Sequence, residues 1–305
     1  MQGAELHLPF GTAAGGGDPV VVTPESAGWQ LCGLRVVRLG PGSSRTLATG
    51  PDEMAVLPLS GGGVTVEVDG RRFDLQGRRT AFARVTDWAY VPMDAEVRLS
   101  SAEGCELALA SARATRRLEA AAVAAEDVEI EIRGAGSATR QVTNFLTPEA
   151  FDGADKLICC ELVTPDGNWS SYPSHKHDDT EGSPVENEEI YYFRIGRVGS
   201  VEYAPEGYGV HRTYTHDGSI DATVTVRDGD VFLVPRGYHG PCAAPPGYPM
   251  YYLNVMAGPA PGRVMAVVDD PAYHWIRDTW AAMPTDPRCP MTSAHGATWA
   301  QPPRS

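Results

Sequence analysis

His175 and His177 stand one residue apart in PSHKHD, and Glu189 follows twelve residues later at the head of the apolar, aromatic run EEIYYFRI. An extended segment sends residues i and i+2 to one face, so the two imidazoles of an HxH pair can converge on one point. A turn through DDTEGSPVEN would return the chain and bring Glu189 alongside. Glu188 would point the opposite way, while Glu181 and Glu186 are also within reach. A third histidine, His239, closes GDVFLVPRGYHG, where Gly229 and Asp230 open a strand and Pro235 and Gly237 end it. A lone HxH on a loop is more often solvated than metallated; its combination with Glu189 and His239 favours a metal. Three imidazoles and a carboxylate form a mixed nitrogen and oxygen donor set suited to one divalent ion, Zn²⁺, Mn²⁺, Fe²⁺ or Ni²⁺.

Strands must position these residues. In GVTVEVDGRRF, Val64, Val66 and Val68 alternate with Thr65, Glu67 and Asp69 before an Asp-Gly turn, the pattern of an antiparallel hairpin. The same grammar returns at 158–163, 189–195, 198–203, 210–215, 222–226, 230–234 and 250–257. Between these runs ARATRRLEAAAVAAED is rich in Ala, Arg and Glu, which predicts a linker or short helix near 112–126. The expected architecture is all-β, with an N-terminal domain over 1–125 and a C-terminal domain over 126–305 that ends in a helical or irregular tail. Two successive antiparallel barrels are expected, because closing each sheet removes exposed edge strands. A weak correspondence links GVTVEVDGRRFDL to the later SVEYAPEGYGVHRTY, but the first copy has neither HxH nor a histidine after its proline. Metal chemistry is therefore expected in the second half only.

Charge and length restrict the partners. The 305 residues include 39 acidic and 25 basic side chains, a formal charge of -14 that repels phosphate backbones and anionic headgroups. Nucleic acid is not expected, and an anionic substrate would need local cations or a metal. No apolar run reaches the roughly 18 residues that cross a bilayer, and the N-terminus has no basic and apolar leader pattern, so a soluble cytoplasmic protein is expected. The six cysteines show no CxxC or framework spacing and read as reduced thiols.

The HxH, Glu and His constellation resembles the cupin superfamily. TPDGNWSSYPSHKHD, EEIYYFRI, VRDGDVFLVPRGYH and YYLNVMAGP together resemble the 5-deoxy-glucuronate isomerase family of inositol catabolism, most densely over about 133–260. HLPFG and EMAVLPLSGGGVTVEVDG follow it more loosely in the N-terminal half, and His216 in THDG departs from its usual acid or polar residue. The resemblance implies a bicupin fold and an aldose–ketose isomerisation of 5-deoxy-glucuronate to 5-dehydro-2-deoxy-gluconate. It also implies a single divalent metal (Zn, Mn or Fe) on His175, His177, Glu189 and His239, and a homo-oligomer acting on a small anionic sugar acid. Rival readings are a 4-deoxy-5-keto-uronate ketol-isomerase of pectin breakdown, an iron-dependent cupin dioxygenase and a non-catalytic sugar-binding bicupin.

Such an isomerisation needs a base near the substrate carbon and a cation for the distal carboxylate. Alternation groups Tyr191 and Phe193 with Glu189, Tyr192 with Arg194, Arg212 with Tyr214, and Tyr252 with Asn254. Most of these tyrosines would be core packing. Tyr214 and Tyr252 are the expected catalytic candidates. Arg212 is the expected carboxylate fork, with Lys176, Arg194, Tyr191 and Asn254 as further substrate contacts. Arg133 and Arg140 in RGAGSATRQVTN are alternative cations.

Overall fold

Strands buried at nearly every position have cover on both faces. Asp52–Gly61, Cys105–Arg113, Glu188–Arg197 and Met250–Ala257 are of this kind, and they form the centre of the molecule. The structure is a computed structural model and describes residues 3–299, of which strands dominate (45% strand, 6% helix). All strand pairs cited below are antiparallel.

The first half contains a six-stranded sheet whose central order is Trp88–Val91, Asp52–Gly61, Cys105–Arg113 and Cys32–Leu39. One face of it packs on a four-stranded sheet ordered Ser43–Ala48, Glu96–Ser101, Val64–Val68 and Arg71–Leu75. Alternation decides what fills that space. Val37, Met54, Val56, Leu107 and Leu109 meet Val64, Val66, Val97 and Leu99 in an aliphatic cluster.

The second half repeats the order. An eight-stranded sheet runs Val231–Val234, Glu188–Arg197, Met250–Ala257 and Ile158–Thr164 through its centre, and its partner sheet runs Trp169–Ser170, Cys242–Ala243, Gly209–Tyr214 and Asp221–Val226. In this repeat Glu53 corresponds to Glu188, and Met54 stands where the second half has Glu189.

The two large sheets pack back to back through Leu34, Val36, Leu57, Leu59, Trp88 and Tyr90 on one side and Ile190, Tyr192, Tyr251, Leu253 and Val255 on the other. Polar groups are paired across this seam. Glu53, fully buried, accepts from the backbone N–H groups of Asp155, Lys156 and Leu157 at 2.8, 2.6 and 2.6 Å. Reciprocally, Glu188 accepts from the N–H groups of Gln30, Leu31 and Cys32 at 2.7, 2.8 and 2.8 Å. The Arg78–Glu161 ion pair is buried, and the Tyr251 hydroxyl donates to the same carboxylate at 2.7 Å.

The segment expected to be a linker or helix near 112–126 is not a helix. Ala121–Val123 pairs with Trp88–Val91 as an edge strand, and only Ala125–Asp127 forms a 3-10 turn. Its charges lie flat instead: Arg116 pairs with Asp155 at 2.8 Å and Arg117 with Asp69 at 2.7 Å. Near the N-terminus, His7–Leu8 pairs with Val231 and Phe232 in the eight-stranded sheet, so the chain begins its described course on the second half. Among the described residues no helix is long and apolar enough to cross a membrane.

Candidate metal centre

The alternation of Glu188–Arg197 divides its side chains between two environments. Glu188, Tyr192 and Arg194 face the first half, while Glu189, Tyr191 and Phe193 face the inner space between the sheets of the second half. The HxH segment reaches the same space by a different route. His175–Lys176 is a short strand on Val268–Asp269, and His175 also forms a bridge with His239 through N–H···O bonds of 3.1 and 2.8 Å. His177 is tied to the loop end, its carbonyl accepting from the Asn187 N–H at 2.9 Å.

One nitrogen from each of His175, His177 and His239 lies within 4.8 Å of the others. Glu189 Oε2 lies 3.1 Å from His177 Nε2 and 2.9 Å from His239 Nε2. The outward nitrogens fix the tautomers. His177 Nδ1 faces the Asn187 carbonyl at 3.1 Å and His239 Nδ1 faces the Gly237 carbonyl at 2.8 Å. A carbonyl only accepts, so each Nδ1 carries a proton and each neutral ring turns a bare Nε2 lone pair inward. His239 Nε2 is buried with no hydrogen-bond partner, since its approach to Glu189 lacks hydrogen-bond geometry. Lone pairs converging on a carboxylate in a buried site are mutually repulsive unless a cation lies among them. The three histidines could thus hold a metal.

Without a cation, a proton shared between His177 Nε2 and Glu189 answers the same repulsion. Burial pushes the Glu189 carboxyl up, but hydrogen bonding to His177 and the neighbouring His239 outweighs it and holds the group well below the usual carboxylate range. Burial pulls His177 down, and its bond to Glu189 more than restores it. Burial, then His239 and His177, hold His175 well below the ordinary imidazole range.

His175, His177 and Glu189 line a cavity of about 810 Å³, with Tyr191, Asn254, Cys160 and Met256 on its walls. Three arginines, Arg133, Arg140 and Arg277, line it as well. One wall comes from the C-terminal segment, where Asp269, Pro271, His274 and Arg277 fold across the opening. His274 Nδ1 lies 2.9 Å from Asp269 Oδ2, and Arg277 Nη2 donates to Asp269 Oδ1 at 2.7 Å.

Several expected site residues lie elsewhere. Arg212 is not in the cavity: in Gly209–Tyr214 the inward positions are Gly209, His211 and Thr213, so Arg212 turns outward to pair with Asp221 at 2.8 Å over the Tyr214 ring. Tyr214 follows it outward and donates to Asp270 Oδ2 at 2.5 Å. Arg194 is occupied at the seam by Glu106 and by Asp228 at 2.9 Å. Lys176 lines a separate surface cleft with Asp178, His216 and Arg236, and donates to the Glu181 carbonyl at 3.0 Å. Tyr252 does point inward but stops short of the cavity, its hydroxyl bonded to Ser171 and Ser170 at 2.8 and 2.9 Å. Burial holds that phenol well above its ordinary range.

His211 was not among the expected site residues. It is buried behind Tyr191 with ring centroids 4.9 Å apart, and burial followed by the nearby His239 pulls it down to about 3. Asp269, His274 and Arg277 were also missed, for they lie in a stretch with no strand or helix period.

The family model described as KduI/IolB family matches residues 9–276. The 5-deoxy-glucuronate isomerase of Geobacillus kaustophilus strain HTA426 is 39% identical over 280 residues, 90% of this chain and 96% of the relative. That of Geobacillus thermodenitrificans is 40% identical over 267 residues, 86% of this chain and 92% of the relative. Among solved structures, an IolB-like protein from Salmonella typhimurium LT2 superposes with a TM-score of 0.80 at 32% identity, covering 89% of this chain and 98% of that one. An oxalate decarboxylase of Lactobacillus farciminis shares the fold alone, with a TM-score of 0.60 at 13% identity over 85% of this chain and 88% of that one.

Proposed function

The chain belongs to the KduI/IolB family, and from that premise we propose that it is a metal-dependent aldose–ketose isomerase converting 5-deoxy-glucuronate to 5-dehydro-2-deoxy-gluconate in inositol catabolism. One observation carries the reading: a cluster of three histidines and a glutamate opens through His175, His177 and Glu189 onto an arginine-rimmed cavity, in a chain 39% identical over nine-tenths of its length to a 5-deoxy-glucuronate isomerase. The repeated strand order supports a tandem pair of jelly-roll cupin units, 1–125 and 126–305, with the metal in the second. Likeness to the oxalate decarboxylase fold agrees with it.

In this reading His175, His177, His239 and Glu189 hold one divalent cation, Zn, Mn or Fe. Bound there, the cation supplies Lewis-acid polarisation of the carbonyl and adjacent hydroxyl oxygens. The remaining work falls to side chains of the chain itself. Tyr191, Met256 and Cys160 wall the cavity and limit water, and Asn254 offers a donor to a sugar hydroxyl. His274, oriented by Asp269, is the imidazole that lines the cavity outside the ligand cluster. It is the group we assign to taking a proton from one carbon and returning it to its neighbour. The Ser-bound phenol of Tyr252 braces Tyr191, with ring centroids 5.1 Å apart, and has no share in proton transfer.

The test is incubation of protein supplied with Mn²⁺ or Zn²⁺ and 5-deoxy-glucuronate, followed by NMR. Appearance of the 2-keto product without oxygen uptake is expected. Turnover only of the pectin-derived 4-deoxy-5-keto-uronate, or oxygen consumption coupled to turnover, overturns the assignment.

A further inference from the structure

A guanidinium buried without a carboxylate is costly, because desolvation is not offset by a paired charge. The three cavity arginines differ in this respect. Arg133 is forked onto Glu131, with Nε to Oε1 at 2.9 Å and Nη2 to Oε2 at 2.5 Å. Arg277 is forked onto Asp269. Arg140 is 3% exposed and, among the described residues, has no carboxylate within ion-pair distance. Its Nη1 donates only to the Ala138 carbonyl at 3.2 Å, and its Nε is buried with no partner at all. Burial lowers Arg140 to about 10, so it remains charged at neutral pH. Its guanidinium lies 5.8 Å from the ring centroid of Trp280, whose other neighbour is Arg277 at 5.1 Å, so the C-terminal segment supplies a platform that restricts the side chain. A second orphan donor, Asn254 Nδ2, is on the same cavity wall.

We propose that Arg140 is the carboxylate anchor of this cavity, the residue that makes the site selective for a sugar acid over a neutral sugar. The inference rests on the isomerase reading and deepens it. With the carboxylate on Arg140, the carbonyl end is directed at the histidine cluster, and the donor of Asn254 meets a hydroxyl between them. Arg133 and Arg277 cannot take this part without surrendering the carboxylates they already hold, and Arg212 faces solvent on the far side of its strand.

The experiment compares 5-deoxy-glucuronate with its C6 amide in the metal-supplied wild type, Arg140→Gln and Arg140→Lys. The wild type is expected to favour the acid by roughly 30- to 1,000-fold in kcat/KM, and Arg140→Gln to lose most of that preference through a fall in kcat/KM on the acid larger than any change on the amide. Arg140→Lys should recover part of it, since ammonium lacks the planar fork. Wild type that accepts acid and amide equally overturns the proposal whatever becomes of the variants. So does a folded Arg140→Gln with unchanged metal content that still discriminates. A separate arm measures calorimetric binding of the carbonyl-free acid, made by reducing the sugar at C1, to metal-free protein. Binding by the wild type that Arg140→Gln abolishes supports the anchor even if turnover fails and the isomerase reading falls. Binding that survives the substitution, or its absence in the wild type, overturns the anchor alone.

Discussion

Replacing Glu189 by Gln separates two things the carboxylate does. The side chain is 3% exposed, and its Oε2 contacts His239 Nε2 at 2.9 Å and His177 Nε2 at 3.1 Å. Both imidazoles have their Nδ1 on a backbone carbonyl, so both turn acceptors toward residue 189. Above the pH at which His177 gives up its proton, a carboxamide can donate to those lone pairs, so there metal-free Glu189→Gln should be as stable as metal-free wild type or slightly more so. Metal affinity should move the other way. Loss of a partner that merely orients a ligand costs 10- to 100-fold in affinity, and loss of a direct anionic donor should cost at least about 100-fold. At a metal concentration about 1,000 times the wild-type Kd, linkage stabilises wild type by about 4.1 kcal/mol and a 100-fold weaker variant by about 1.4 kcal/mol. Urea unfolding with and without Mn²⁺, with elemental analysis of both proteins, reads this difference of about 2.7 kcal/mol. A variant that keeps the full wild-type increment refutes Glu189 as a ligand. A metal-free variant less stable by more than about 2 kcal/mol refutes the tautomer assignment.

Three other outcomes are expected. Arg212→Ala should leave kcat/KM within about 2-fold of wild type, because the guanidinium is an outward ion pair with Asp221; a loss above about 30-fold would contradict its placement. His274→Gln should lower kcat roughly 100-fold, remove one limb of its pH profile and leave metal content unchanged, and an unaltered profile would exclude it from proton transfer. Asp155 gives a stability test. Burial raises this carboxyl, but bonds from Thr115 and Arg116 pull it down to about 2, below its value in the unfolded chain. That stabilisation is complete above about pH 4 and lost as pH falls toward 2, amounting to about 2 kcal/mol. Chemical unfolding between pH 7 and pH 2.5 should show the slope in wild type and a flatter one in Asp155→Asn. Equal slopes would mean the bonds are not made.

The histidine cluster and its glutamate were readable because period-2 alternation distinguishes Glu189 from Glu188, and the structure gives the two glutamates opposite faces and different contacts. The same rule failed at Arg212. Alternation groups Arg212 with Tyr214 but does not say which face of the strand is interior, and the chemically conspicuous residues proved to be the outer ones. A lone histidine among Gly209, His211 and Thr213 was the signal for the inner face, and it is a weak one. Arg140 was legible only as one of several cations, because its distinguishing property is the partner it lacks. The wall from Asp269 to Arg277 had little pattern to read: a two-residue strand ends at Asp269, a four-residue helix starts at Ile276, and turns and side-chain bonds hold the rest.

The half without the histidines is usually the part of such a duplicated chain that invites deletion. The reciprocal glutamates argue against that. Glu188 is clamped by three amides of the first half, and the very next residue is the carboxylate of the metal cluster. The first half therefore serves as a jig: it fixes where that strand begins and hence how deep Glu189 projects. Glu53 closes the loop from the other side, gripping the backbone just before Ile158–Thr164, whose Cys160 lines the cavity. Cut apart between the halves, each fragment would carry an unmatched carboxylate and three stranded amides, so the pair should melt in one cooperative step and the aliphatic half should be inherited as tightly as the one that carries the histidine cluster.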